Sequence, residues 1–181
     1  MNRSYVFAAA AVTIFSLGST LSFAAKKGDI DEDVATTLSD FNGLNTSNAG
    51  LRKQAAGVLV FPHITKGGVG VAGEFGEGAL QVNGKTVGYY SIGGASIGLT
   101  LGAAKRSEII MFMTPDALDK FTNSDGWSMG ADAGVTVVSA KATADYDTLT
   151  HKTPILAFAF GEKGLMGDLS VEGSKITKIK D

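Results

Sequence analysis

Cysteine is absent from this sequence. Disulfides, thiolate metal sites, thiol nucleophiles and a lipid-modified amino-terminal cysteine are therefore all excluded. Stability must come from packing and backbone hydrogen bonds. Proline is scarce, with 3 residues in 181, so few positions forbid regular structure outright. A long basic run is also missing, and the 16 Lys and Arg are outnumbered by 18 Asp and Glu. A mildly acidic chain of this kind is a poor partner for nucleic acid. Bulk charge cannot carry it to an anionic membrane either, and any such contact must use a local patch.

Charge is nearly absent from the first segment, where Arg3 is the only charged side chain before Lys26. Tyr5 to Leu17 is apolar, and Ser22-Phe23-Ala24 places small residues where a signal peptidase reads. The apolar core falls short of the ~20 residues a spanning helix needs. The pattern predicts a signal peptide over residues 1–24, cleaved after Ala24, and a periplasmic or secreted product. Residues 25–181 then form one domain, long enough for a hydrophobic core.

Glycine is plentiful, with 24 residues, and it falls inside segments that alternate with period two. That spacing predicts strands with one small-residue face. Asp31 to Phe41 carries Val34, Leu38 and Phe41 on one helical face, with Asp31, Glu32 and Asp33 at the positive end of its dipole and Asn42-Gly43 as its stop. A second short helix is expected from Asn48 to Ala55, capped by Thr46 or Ser47. Thr114-Pro115-Asp116 opens a third. Strands are expected at Val58 to Phe61, stopped by Pro62, then at Gly67 to Val82, Thr86 to Tyr90, Ala95 to Ala103 and Ile109 to Met113. Asn83-Gly84 is a hairpin turn. Further strands are expected over Trp127 to Val137, Ile155 to Phe160 and Leu165 to Val171. The reading is an α+β domain: a curved, Gly-rich antiparallel β-sheet or small open barrel with about three short helices.

Three motif matches lack their structural context. Gly68-Val69-Gly70-Val71-Ala72-Gly73 spells the dinucleotide fingerprint, but the residues that follow alternate and do not open a helix. Gly94-Ala95-Ser96-Ile97-Gly98 spells the nucleophile elbow, yet Ser96 sits within a period-two pattern and not at a strand-to-helix turn. A serine esterase using Ser96 is kept as the enzymatic alternative. Gly94, Gly98 and Gly102 have the spacing of a membrane-helix zipper, but a helix so rich in glycine is costly. His63 and His151 are expected in separate loops, with no metal between them. No cofactor is expected.

Several blocks together resemble the SYLF domain, also called the Ysc84 domain. They are Ala56-Gly57-Val58-Leu59-Val60-Phe61-Pro62, then Lys66-Gly67-Gly68, then Gly73-Glu74-Phe75-Gly76-Glu77-Gly78. Gly93-Gly94-Ala95-Ser96-Ile97-Gly98-Leu99, Gly102-Ala103, Ile110-Met111-Phe112-Met113-Thr114 and Gly130-Ala131-Asp132-Ala133 continue the series, and Gly164 to Ser174 closes it. The resemblance spans about residues 30 to 178. It implies a non-enzymatic phospholipid-binding module at a membrane surface. Some relatives bind actin, which does not suit an exported protein. The acidic first helix departs from the basic phosphoinositide-binding helix of eukaryotic relatives, and Gly88-Tyr89-Tyr90 replaces a tryptophan-bearing segment. On this reading Arg52, Lys53 and Lys66, with Lys105 and Arg106, contact headgroups through charge-assisted bonds. Phe61, Ile64, Leu165 and Met166 are expected as exposed apolar anchors in loops. The non-enzymatic alternative is a structural or adhesive protein pairing with an envelope partner.

Overall fold

The computed structural model describes residues 27–128, 134–138, 153–161 and 174–180, with backbone alone at residues 69–72 and 96–104. The expected signal peptide, the Leu165 to Val171 strand and His151 lie outside the described residues.

Helix α1 runs Lys27–Leu44 and buries Ile30, Val34, Leu38 and Phe41, a spacing of three or four that makes one stripe. At 18 residues it is about 27 Å long, so it is not a short helix. It continues past the expected stop because Gly43 fits within the helix. The buried Asn48 side chain donates from Nδ2 to the Phe41 carbonyl at 2.7 Å, satisfying one of the orphan acceptors at the helix end. Helix α2 spans Asn48–Gln54. Ser47 stands at its cap position without a side-chain cap bond. Instead Asn45 Oδ1 accepts from the Ser47 amide at 2.9 Å, an Asx turn. Helix α3, Pro115–Thr122, begins as its sequence predicts: Thr114 Oγ1 accepts from the Ala117 amide at 3.2 Å and Pro115 opens the first turn.

Strands β1 (Gly57–Val82) and β2 (Lys85–Phe112) form one long antiparallel hairpin of 26 and 28 residues. Five expected strands are thus two. Pro62 does not end β1. The register slips between Phe61 and Ile64, and this bulge accommodates the missing amide, while Ser107 Oγ donates to the Pro62 carbonyl at 2.7 Å. Asn83 and Gly84 turn the hairpin with φ of 51° and 75°, the left-handed pair that a tight two-residue turn requires.

The remaining strands add to β2. Strand β5 (Ile155–Phe160) pairs with its second half, and β6 (Lys175–Lys178) with its first. Strand β3 (Trp127–Ser128) borders β6, and β4 (Val135–Val138) borders β5. The segment expected as one strand from Trp127 to Val137 is therefore split between two places in the sheet. Gly134, at φ 103°, stands at the start of β4. Val137, assigned to the buried face, is exposed. Pairing is antiparallel except between β4 and β5, which run parallel.

The hairpin does not lie flat. Its far half, which we call the distal limb, bends back across its own base. A Cβ placed on Gly78 would lie 2.0 Å from the Val60 carbonyl oxygen, and one on Gly76 would lie 2.8 Å from that of His63. Both approaches are backbone against backbone, which only glycine permits. The curl divides the core. Beneath α1 and α2, Val34, Leu38 and Phe41 pack on Val60, Ile109, Met111 and Phe158. Inside the curl, Phe61, Ile64, Leu80, Ile92 and Phe112 pack with Phe121 of α3 and Trp127. Asp31 ties α1 to the distal limb, accepting from Thr86 Oγ1 at 2.8 Å and the Tyr89 hydroxyl at 2.9 Å.

This packing predicts opposite outcomes for two similar substitutions. Gly78→Ala should destabilise the fold by about 3 kcal/mol or more, or prevent folding, because the obstructing atom is backbone. Gly43→Ala, with nothing within 4 Å of the new methyl, should stabilise α1 by up to about 1 kcal/mol. Urea unfolding of both variants checks this.

Candidate functional site

Because the distal limb folds back, the Asn83-Gly84 turn arrives beside α2. A cleft of about 600 Å³ opens there, between Ala35, Leu38, Ser39 and Asn42 of α1, the end of α2, Val58 and the turn. Arg52 and Lys53, from the last turn of α2, line it, and among the described residues no Asp or Glu does. Arg52 is half-buried and Lys53 exposed. The floor is apolar and polar-neutral, and the two cations are the only formal charges among its described lining residues. We call this cleft the basic notch.

The other described clefts are acidic or mixed. One has Asp33, Glu74 and Glu77 in its lining, with His63. A second combines Asp33 and Asp40 with Lys105 and Arg106, and a third has Asp116 with Lys120. Lys105 pairs with Thr65 across the hairpin, so Lys66, one residue on, faces the other side of the sheet. They do not join Arg52 and Lys53. Lys66 lies nine residues along β1 from Gly57, about 30 Å of strand path.

Three expectations are corrected. Phe61 and Ile64 are fully buried inside the curl and cannot be exposed anchors. The bulge at Pro62 keeps them in the strand where a loop was expected. Arg106 is not available to a headgroup either. Its Nη1 donates to Glu74 Oε2 at 2.9 Å and its Nη2 approaches Glu108 Oε2 at 3.5 Å, with only 11% of the side chain exposed. Leu165 and Met166 lie outside the described residues. His63 sits in the bulged part of β1, 3.4 Å from Asp33, with both side chains well exposed.

The Arg106 cluster is a buried ionic network at the crossing of the two limbs. Glu74 Oε1 accepts from Ser174 Oγ, and Gly94 leaves room for this, since a Cβ there would press on the Glu74 side chain at 3.1 Å. Glu108 is 1% exposed. Burial pushes its carboxyl up to about 7, Arg106 opposing the shift and Glu74 adding to it. Ser96 lies opposite Ala72 inside continuous β2, and the 68–73 glycine run lies inside β1. Neither shows the strand-turn-helix geometry of its motif.

Residues 93–181 match the family model Ysc84, described as Las17-binding protein actin regulator. Residues 93–181 belong to the Ysc84 family. No curated protein matches it. The family match covers the part of β2 from Gly93 onward, α3 and everything after. The earlier resembling blocks lie in its pairing partner, with Phe75 opposite Gly93 and Gly73 opposite Ala95. No described helix is long and apolar enough to cross a membrane.

The sequence indicated Arg52 and Lys53 but could not group them. The Asn-Gly signal located the turn, whereas its return to α2 depends on the crossing at Gly76 and Gly78. Lys85 and Val87, both exposed beside that turn, were missed for the same reason.

Two stability measurements test the network. Arg106→Leu removes the cation between two buried carboxylates and should cost about 3–5 kcal/mol, whereas Lys105→Ala should fall within about 0.5 kcal/mol of wild type. The Glu108 carboxyl, raised from 4.5 to about 7, holds in the folded state a proton that the unfolded chain releases. Its contribution is full below the unfolded value and is lost as pH rises to the folded value. The stability of wild type relative to Glu108→Gln should therefore fall, by on the order of 3 kcal/mol, between about pH 4.5 and pH 7 and stay flat above.

Proposed function

We propose that this Ysc84-family protein is a non-enzymatic phospholipid binder that acts at a membrane surface in the cell envelope. The observation that carries the reading is the basic notch: two cations and no acid among its described lining residues, in a chain whose net charge is −2. A phosphate between Arg52 and Lys53 gains charge-assisted hydrogen bonds without facing a carboxylate within the cleft. Lys85 adds a third cation beside the turn. Val87, 54% exposed, offers a small apolar contact of the kind that seats a protein in the interface. Family membership supports lipid binding in general. The signal-peptide pattern of residues 1–24 supports the envelope as the place, and with it a lipid partner in preference to the actin regulation in the family's description.

Flotation of residues 25–181 with vesicles tests the reading. Binding to anionic vesicles should exceed binding to neutral ones and weaken as salt is raised. At about 1 kcal/mol per basic residue near a charged surface, R52Q/K53Q should weaken binding about 30-fold, while Lys66→Gln with Lys105→Gln should change it little. Absence of flotation with any composition contradicts the proposal and favours an envelope protein partner. Ester hydrolysis abolished by Ser96→Ala contradicts its non-enzymatic part.

A further inference from the structure

Two carboxylates face one guanidinium where the distal limb crosses the base of the hairpin. Glu74 has 9%, Arg106 11% and Glu108 1% of its side chain exposed. Two negative charges and one positive charge leave an unbalanced charge in an interior that solvates it poorly. The geometry indicates which carboxylate stays ionised. Glu74 accepts from Arg106 at 2.9 Å and from the Ser174 hydroxyl. Glu108 has only the longer 3.5 Å approach, and its Oε1, like Arg106 Nε, finds no partner among the described residues. Glu108 is the oxygen pair with room for a proton.

From this geometry we infer that Glu108 carries a proton that latches the carboxy-terminal strand β6 to the hairpin crossing. With Glu108 neutral, Arg106 is left to Glu74, and Glu74 holds Ser174, the buried residue immediately before β6. When Glu108 ionises, its carboxylate competes for Arg106, the Glu74–Arg106 tie between the limbs weakens, and Ser174 loses a fixed acceptor. The strong upward displacement of the Glu108 carboxyl, caused first by burial, agrees with this assignment. Among the described residues, the charged groups acting on Glu108 are Arg106 on its own strand and Glu74 on the crossing limb. Helix α3 turns Asp116, Asp119 and Lys120 to solvent, and β6 does the same with Lys175 and Lys178.

The chain carries its own reporter. Its single tryptophan, Trp127, pairs with Ile176, two residues beyond Ser174, and is buried against Phe112 and Phe121. Trp127 emission and near-ultraviolet circular dichroism of the full chain should show one transition centred near pH 7 in a titration from about pH 5 to 9, with far-ultraviolet dichroism unchanged. Glu108→Gln should remove the transition and keep the low-pH spectrum. Ser174→Ala should uncouple Trp127 from pH. His63→Gln with His151→Gln should leave the transition in place, which separates Glu108 from ordinary histidine titration. If Glu108→Gln does not fold, the wild-type infrared band of a protonated carboxyl provides the readout. It should be present at pH 5 and vanish with the same midpoint. No Trp127 transition in wild type, a transition retained in Glu108→Gln or lost with the histidines, or no carboxyl band at pH 5, overturns the inference.

Discussion

The contact on which the rest of the structure depends is the passage of the distal limb over the hairpin base at Gly76 and Gly78. Here two backbone segments approach so closely that a single methyl on Gly78 would lie 2.0 Å from the Val60 oxygen, far inside van der Waals contact. Everything of functional interest follows from that approach. It brings the Asn83-Gly84 turn to α2 and so builds the basic notch. It carries Glu74 to Arg106 and so builds the buried network. It also makes one long hairpin enclose a core, with Phe61, Ile64 and Leu80 inside the curl. A hairpin of this length left flat would expose two long faces and two unpaired edges.

The two charged sites divide the work that the sequence reading assigned to one patch. Arg106 is spent inside the molecule, neutralising carboxylates, whereas Arg52 and Lys53 remain in a cleft with no acid among its described lining residues. A cation's environment, more than its presence, decides what it can bind. The same distinction applies to the acidic start of α1. Asp31 is a structural acceptor for Thr86 and Tyr89, so the acidity that departs from a basic lipid-binding helix has a packing role here.

Much of the local structure was legible because local chemistry dictates it. The Thr114-Pro115 helix start, the Asn83-Gly84 turn and the doubly covered Ile109 to Met113 segment each rest on neighbouring residues. What could not be read depends on contacts between distant segments. Pro62 looks like a stop until a bulge and Ser107 accommodate it. Trp127 and Val137 alternate as one strand but join different neighbours. Phe61 and Ile64 flank a proline and so resemble loop anchors, yet the crossing limb buries them. Strand β6 has four residues and one buried side chain, Ile176, too little pattern to separate it from a charged tail.

The most direct test of the doubled-back hairpin is a search for through-space proton contacts by nuclear magnetic resonance. The α-protons of Gly78 should show contacts to Val60 and Phe61, and those of Gly76 to His63 and Ile64, beside the cross-strand contacts of Gly78 with Tyr90. Cross-strand contacts without these limb-to-limb contacts would describe an open hairpin, and would remove the basis for both the basic notch and the buried network.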